Sequence, residues 1–94
     1  MTSTGEEKAF LRAAVSALPR VTEIICEFPL DERAGALEAA ERQFMVAALD
    51  YGCTEIAARS RVSAIMRRLR GRLARQTAGE EKLKALLHKL TQSS

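Results

Sequence analysis

Apolar residues recur along most of the chain at the spacing of amphipathic helices. In the first third, a seam with spacings of three and four positions consists of Phe10, Ala14, Ala17, Val21, Ile24 and Phe28. This period predicts a helix. Pro19 lies inside the seam and lacks a backbone N–H, so a kink or a break is expected near residues 17–18. Pro29 disfavours helical geometry at the preceding residue, which predicts that the helix ends at Phe28.

The sequence PLDER, residues 29–33, predicts a connector to a second helix. Asp31 and Glu32 suit the start of that helix, because negative charge there meets the positive end of the helix dipole. Gly52 tolerates a positive φ and predicts its C-terminal cap, and Thr54, followed by Glu55, predicts the N-cap of a third helix. The apolar side of the second helix consists of Leu37, Ala40, Phe44, Ala47, Ala48 and Tyr51.

Residues 54–75, TEIAARSRVSAIMRRLRGRLAR, allow two interpretations. The residues EIAA at 55–58 and VS at 62–63 resemble the helix-turn-helix of LuxR-type and sigma-type DNA readers. That motif would place a turn at Ser60–Arg61 and the following segment in the major groove. The other interpretation is one unbroken basic helix.

The continuous helix is favoured by the residues around the expected turn. Neither Ser60 nor Arg61 is a Gly or Asn, which commonly supply a sharp turn, and Ser60 stands where an apolar anchor is usual. At 100° per residue, one arc of about 100° contains a single apolar stripe. Its members are Ala58, Val62, Ile65, Met66, Leu69 and Leu73. Opposite the stripe, Gly71 indicates either close approach of another backbone or a solvated face. We therefore predict one helix over residues 55–75.

Arginines border the stripe on both sides, with no lysine in this segment. They are Arg59, Arg61, Arg67, Arg68, Arg70, Arg72 and Arg75. Guanidinium groups form paired, charge-assisted hydrogen bonds with carboxylates, and they also bind phosphates without reading bases. The seven are candidate partner-binding residues for a protein, and for DNA under the alternative interpretation.

The last segment opens with TAGE, in which Thr77 and Glu80 stand at capping-box spacing and predict the start of another helix. Leucines then recur at helical intervals, which predicts core packing or a seam with a partner or a second copy. They are Leu83, Leu86, Leu87 and Leu90. The expected fold is all-α, a single domain over residues 1–94 with residues 1–5 and 92–94 disordered. We expect a small bundle of four to five helices that includes one long basic amphipathic helix.

Charge is distributed unevenly along the 94 residues, whose net charge is +3. Nine acidic and five basic residues precede Cys53, whereas ten basic and three acidic residues lie from Cys53 onward. Such asymmetry is typical of a nucleic-acid face, an acidic protein partner or self-complementary assembly, or of two halves that pack on each other.

No constellation of residues suited to catalysis is evident. The sequence has no Gly-rich phosphate loop and no nucleophile beside a base, so neither enzyme activity nor a cofactor is expected. Cys26 and Cys53 are expected to be reduced thiols, and with His88 they are too few for a closed zinc site. Cys53 could be a reactive thiol at a helix start, but a small core residue is the favoured interpretation. Without a run of about 18 apolar residues, we expect a cytoplasmic protein with no membrane partner.

The combination of ALEAAERQFMVAALDYGC, residues 36–53, with VSAIMRRLRGRL, residues 62–73, resembles a group of small all-helical proteins of rhizobia and related alphaproteobacteria. These are the quorum-sensing antiactivators that restrain transfer of integrative conjugative elements. The resemblance covers roughly residues 10–73. It implies a protein that binds LuxR-family or related transcriptional activators and keeps them inactive without binding DNA itself. A helix-turn-helix regulator and a structural dimerisation module are the alternatives.

Overall fold

A computed structural model describes residues 5–92, which form three α-helices and one 3-10 turn. Helix α1 is Gly5–Cys26, the 3-10 turn is Leu30–Glu32, α2 is Arg33–Asp50 and α3 is Glu55–Gln92. The predicted all-α class is confirmed, but the expected count of four to five helices is not. Gly5 and Gln92 are helical; the other residues of the two termini expected to be disordered lie outside the described range. No helix within residues 5–92 has the length and apolarity to cross a bilayer.

A kink or a break was expected near residues 17–18; helix α1 continues through Pro19, so the break does not occur. Proline removes the hydrogen bond to the carbonyl group four residues earlier, that of Val15. Pro19 and Val15 are both exposed, which places this interruption on the outer side of the helix. On the buried side, Leu18 and Thr22 are anchored in the core, and the Thr22 hydroxyl donates to the Leu18 carbonyl oxygen at 2.7 Å. Core packing therefore holds the helix together across the proline.

The buried face of α1 differs from the predicted seam. Phe10 and Ala14 are buried as expected, but Ile24 and Phe28 are 43% and 42% exposed. At 100° per residue the face that packs is rotated by about 60° from the predicted one. Its members are Phe10, Ala14, Leu18, Thr22 and Ile25. The chain thus carries two neighbouring apolar faces on α1, of which one is left at the surface.

The junction between α2 and α3 follows the sequence prediction. The amide of Gly52 donates to the Leu49 carbonyl at 3.0 Å and the amide of Cys53 donates to the Ala48 carbonyl at 3.1 Å. This pair of bonds is the Schellman arrangement, and Gly52 has the required positive φ of 99°. Thr54 then caps α3 by accepting a hydrogen bond from the Ala57 amide on its hydroxyl at 3.2 Å.

Two glycine-to-alanine substitutions are expected to change stability in opposite directions. At Gly52 the positive φ disfavours a side chain, and a Cβ would lie 3.1 Å from Glu6 Cγ, so Gly52→Ala should lower the free energy of unfolding by about 1–2 kcal/mol. At Gly71, inside α3, a Cβ would meet nothing within 4 Å. Gly71→Ala should therefore raise the free energy of unfolding by about 0.5–1 kcal/mol. Denaturant unfolding measures both. A stabilising Gly52→Ala would contradict the capping geometry, and a destabilising Gly71→Ala would contradict the open space.

Helix α3 is the central helix of the bundle and packs on both α1 and α2. It is helical through Ser60 and Arg61, as predicted, and every member of the predicted stripe is buried. Met66 and Leu69 are fully buried, and they pack with Phe10, Leu18 and Phe44 in one core. The predicted stripe therefore forms the core face of α3.

The helix predicted to begin at Thr77 is not a separate element, because α3 continues without interruption to Gln92. The two residues at capping-box spacing bind a side chain instead of a helix end. Thr77 Oγ1 accepts a hydrogen bond from Arg33 Nη1 at 3.2 Å, and the Glu80 carboxylate contacts the same guanidinium at 3.4 Å. Capping chemistry and an interhelical contact require the same residue types, which explains the wrong prediction.

Arg33, at the start of α2, joins all three helices at one end of the bundle. Its guanidinium donates to the Cys26 carbonyl at 2.9 Å and to the Phe28 carbonyl at 3.1 Å, where α1 ends. Carbonyl groups at a helix C-terminus have no intrahelical donor, and a cation there also complements the helix dipole. With Thr77 and Glu80 on α3 as further acceptors, we call this group the Arg33 clamp.

Arg33→Ala is expected to lower the free energy of unfolding by about 1–3 kcal/mol, because it removes the donors to the Cys26 carbonyl, at the end of α1, and to the Phe28 carbonyl, two residues later. Arg33→Lys should lower the free energy of unfolding by nearly as much, because a single ammonium group cannot reach acceptors on three helices in the way that a planar guanidinium does. Arg42→Ala, which removes an exposed arginine of α2, is the matched control and should change stability by less than about 0.5 kcal/mol. Equal effects of Arg33→Ala and Arg42→Ala in denaturant unfolding would contradict the clamp.

Candidate partner-binding surfaces

Two of the seven predicted arginines form ion pairs within the fold. Arg59 pairs with Glu55 on its own helix at 2.8 Å, and Arg61 contacts Glu7 of α1 at 3.4 Å. Both side chains of the Arg59–Glu55 pair are exposed, so this ion pair contributes little to stability. The Arg61–Glu7 pair is more enclosed and ties the start of α1 to α3. Both arginines therefore have a carboxylate partner within the described residues.

Four of the arginines lie together beside α1. Two adjoining depressions of about 400 and 480 Å³ run between α1 and the middle of α3, and Arg72 and Arg75 line both. We call this surface the arginine groove and define it by Arg67, Arg68, Arg72 and Arg75.

Two features leave the arginine groove open. Gly71 contributes no side chain to it, so its floor between the arginines is unobstructed. Among residues 5–92, none of its four arginines forms an ion pair. Arg70 is also exposed and without an ion pair in this range, but it does not line the groove. Glu23 also lines the groove, but its ion pair is with Arg20 of its own helix. The groove thus carries four guanidinium groups that form no ion pair within residues 5–92.

A separate depression lies between α1 and α2, and its lining is almost entirely apolar. Its volume is about 570 Å³, and no residue of α3 lines it, so it opens on the side of the α1–α2 pair away from α3. We call it the apolar groove. Its lining includes Val21, Ile24, Phe28, Ala36, Ala40 and Ala47. Ile24 and Phe28 belong to the predicted seam of the first helix, and in the fold they form the wall of this exposed groove.

The four leucines of the last segment do not join the core. They are 53–62% exposed, because α3 continues past the end of the other two helices. At 1.5 Å per residue the 38 residues of α3 extend about 57 Å, whereas the 22 of α1 extend about 33 Å. The molecule accordingly measures 62 × 22 × 17 Å. We call residues 81–92, beyond the Arg33 clamp, the overhang.

Neither cysteine has the environment of a reactive thiol. Burial raises the pKa of the Cys53 thiol, and the carboxylates of Glu7 and Glu6 raise it further. Burial also raises the pKa of Cys26, although the nearby Arg33 guanidinium opposes the shift. Both thiols are therefore protonated at neutral pH, and neither is in a disulfide. The interpretation of Cys53 as a core residue is confirmed.

In the described part of the chain, no group of three or more His, Cys, Asp or Glu side chains converges as a metal site requires.

Comparisons with protein-family models, curated proteins and solved structures gave no match. The chemistry of the arginine groove, the apolar groove and the overhang is therefore the basis for a functional assignment. The apolar groove was missed from the sequence, although the second apolar face of α1 was a signal for it.

Proposed function

We propose that this protein is a helical interaction module that binds an acidic surface of a transcriptional activator, of the LuxR type or related, and keeps it inactive. The observation that carries the proposal is the arginine groove, in which four guanidinium groups have no internal ion-pair partner within residues 5–92. The resemblance of residues 10–73 to quorum-sensing antiactivators supplies the class of partner. Sequestration requires binding alone, without catalysis or a cofactor.

The choice of arginine supports a carboxylate-bearing partner. A guanidinium presents a rigid, planar fork that binds a carboxylate through two parallel hydrogen bonds, and it is less strongly hydrated than an ammonium group. Arg68 and Arg72 are four residues apart and therefore neighbours on one face of α3, and Arg75 follows three residues later. Such a row suits acidic side chains that recur at the same spacing on a partner helix.

The continuity of α3 supports a protein partner over base-specific DNA reading. A helix-turn-helix with its second helix after Val62 needs a turn at Ser60–Arg61, and α3 is helical there.

A reporter assay tests the proposal directly. A LuxR-type activator from the same source is expressed with its target promoter, with and without this protein. Reporter output should fall when the protein is present. Arg68→Glu/Arg72→Glu should abolish repression and weaken binding to the purified activator by about 100-fold or more, as expected for the loss of central arginine contacts.

The matched control is Arg12→Glu/Arg42→Glu, which makes the same change in net charge at exposed arginines of α1 and α2. It should leave repression intact. Equal loss with both double variants would contradict the groove as the binding site. Absence of activator binding, together with sequence-preferring duplex binding that falls steeply with salt, would contradict the proposal and favour a DNA-binding regulator.

A further inference from the structure

We propose that the apolar groove is the docking site for the overhang of a second copy of this chain. In the resulting twofold dimer, each α3 packs on its own α1–α2 pair through the buried stripe. It also packs on the opposite pair of helices through its terminal leucines. The two α3 helices run antiparallel and enclose both α1–α2 pairs between them. This dimer is independent of the arginine groove and of the activator proposed above.

The direction of the overhang leucines supports this arrangement. At 100° per residue, Leu83 and Leu87 fall inside the arc of the buried stripe, and Leu90 lies about 20° from its edge. The overhang therefore presents its apolar side in the same direction as the core face of α3, but beyond the end of α1 and α2. A second α1–α2 pair placed end to end with the first meets these leucines directly.

The lengths of the two surfaces match. Leu83 and Leu90 lie about 4 and 15 Å beyond Glu80, which marks the clamped end of the bundle. On α2 the apolar groove extends from Ala36 to Ala47, about 4 to 21 Å inward from Arg33 at the same end. When two copies meet at their clamped ends, each overhang extends along the groove of the other copy. Its leucines then lie at the same distance along the helix axis as the residues that line the groove.

Charge also favours a second copy. Residues 20–42, which surround the groove, contain six acidic and three basic side chains, whereas the overhang contains three lysines and one glutamate. Lys82 and Lys84 flank the leucines of the overhang, and Glu27 and Glu38 are exposed beside the groove. The acidic surroundings of the groove and the basic overhang are thus complementary between copies.

Symmetry increases the contact. A twofold arrangement forms the same helix-in-groove contact twice and so doubles the surface that a single contact buries. The lining of the groove by α1 and α2 alone places the incoming helix opposite the resident α3. Each α1–α2 pair would then be covered on both faces, as in a four-helix bundle.

Sedimentation equilibrium of the full chain tests the proposal. The wild-type protein should sediment as a dimer at micromolar to millimolar concentrations. Leu83→Glu/Leu87→Glu in the overhang and Ile24→Glu in the groove should each weaken dimerisation by about 100-fold or more, because each places charge in an apolar contact. Ile56→Glu, at a position 84% exposed on the first turn of α3, is the control and should leave the dimer unchanged.

Mixing the two defective proteins separates this dimer from a leucine zipper. An equimolar mixture of Ile24→Glu with Leu83→Glu/Leu87→Glu retains one intact contact per pair, and should form heterodimers under conditions where each alone is a monomer. Phe28→Glu replaces Ile24→Glu if circular dichroism shows loss of helix. A monomeric wild type, an unchanged dimer in a folded groove variant, or no association in the mixture would each overturn the proposal.

Discussion

Ile65→Ala is expected to lower the free energy of unfolding by about 2–5 kcal/mol, a large share of the total stability of a domain of this size. Ile65 is 1% exposed and lies in the middle of the stripe through which α3 packs on α1 and α2. Removing three carbon atoms there loses their transfer free energy and leaves a cavity that helices already in contact cannot close fully. Denaturant unfolding at one fixed protein concentration measures the loss.

Ile56→Ala is the matched control, because it makes the same chemical change on the same helix at a side chain that is 84% exposed. It should alter stability by less than about 0.5 kcal/mol, and the higher helix propensity of alanine would offset part of any loss. Similar values for the two variants would show that the stripe is not the core face of α3.

Ser60→Pro is expected to cost at least about 3 kcal/mol, because Ser60 lies inside a helix. Proline there removes the N–H that donates to the carbonyl of Ile56, and its ring clashes with that carbonyl group. A turn at Ser60–Arg61, as in a helix-turn-helix, would accommodate the substitution far better. Thermal and denaturant unfolding, with helical content from circular dichroism, give the result.

Glu55→Pro is the control for this prediction. Glu55 is the first residue of α3, where the backbone N–H has no intrahelical partner and proline is favoured. The change removes only the exposed ion pair with Arg59, so stability should fall by less than about 1 kcal/mol. A Ser60→Pro protein as stable as Glu55→Pro would contradict the continuous helix.

The parts of the fold that were predicted correctly depend on local chemistry. The stripe of α3 was identified because its spacing is regular over about four turns. Gly52 and Thr54 were identified because a Schellman turn and an N-cap have strict residue requirements. In each case residues close together in the sequence determine the local structure, and the tertiary packing is compatible with that structure.

The parts that were predicted wrongly depend on contacts between distant residues. The sequence of α1 has two adjacent apolar faces, and the arrangement of α2 and α3 decides that Leu18 and Ile25 are buried while Ile24 and Phe28 are not. Likewise, the residues TAGE resemble a helix start until Arg33, 44 positions earlier than Thr77, is found bound to them. Local patterns do not encode such choices.

The candidate sites show the same division. All seven arginines were named from the sequence, but only the fold shows that Arg59 and Arg61 pair internally while Arg67, Arg68 and Arg72 share one groove. The leucines of the overhang were predicted either to pack in the core or to form a seam with a partner or a second copy. Their exposure, and the groove of matching length on the other side of the bundle, follow only from the three-dimensional arrangement.

The central claim is that α3 is one unbroken helix whose first part forms the core and whose last part projects beyond it. Backbone 13Cα chemical shifts of the full chain test this claim residue by residue. The account predicts helical shifts without interruption over Glu55–Gln92, including residues 60–61 and 77–80. Random-coil or extended shifts at Ser60 and Arg61 would contradict it, and would restore the turn that a DNA-reading motif requires.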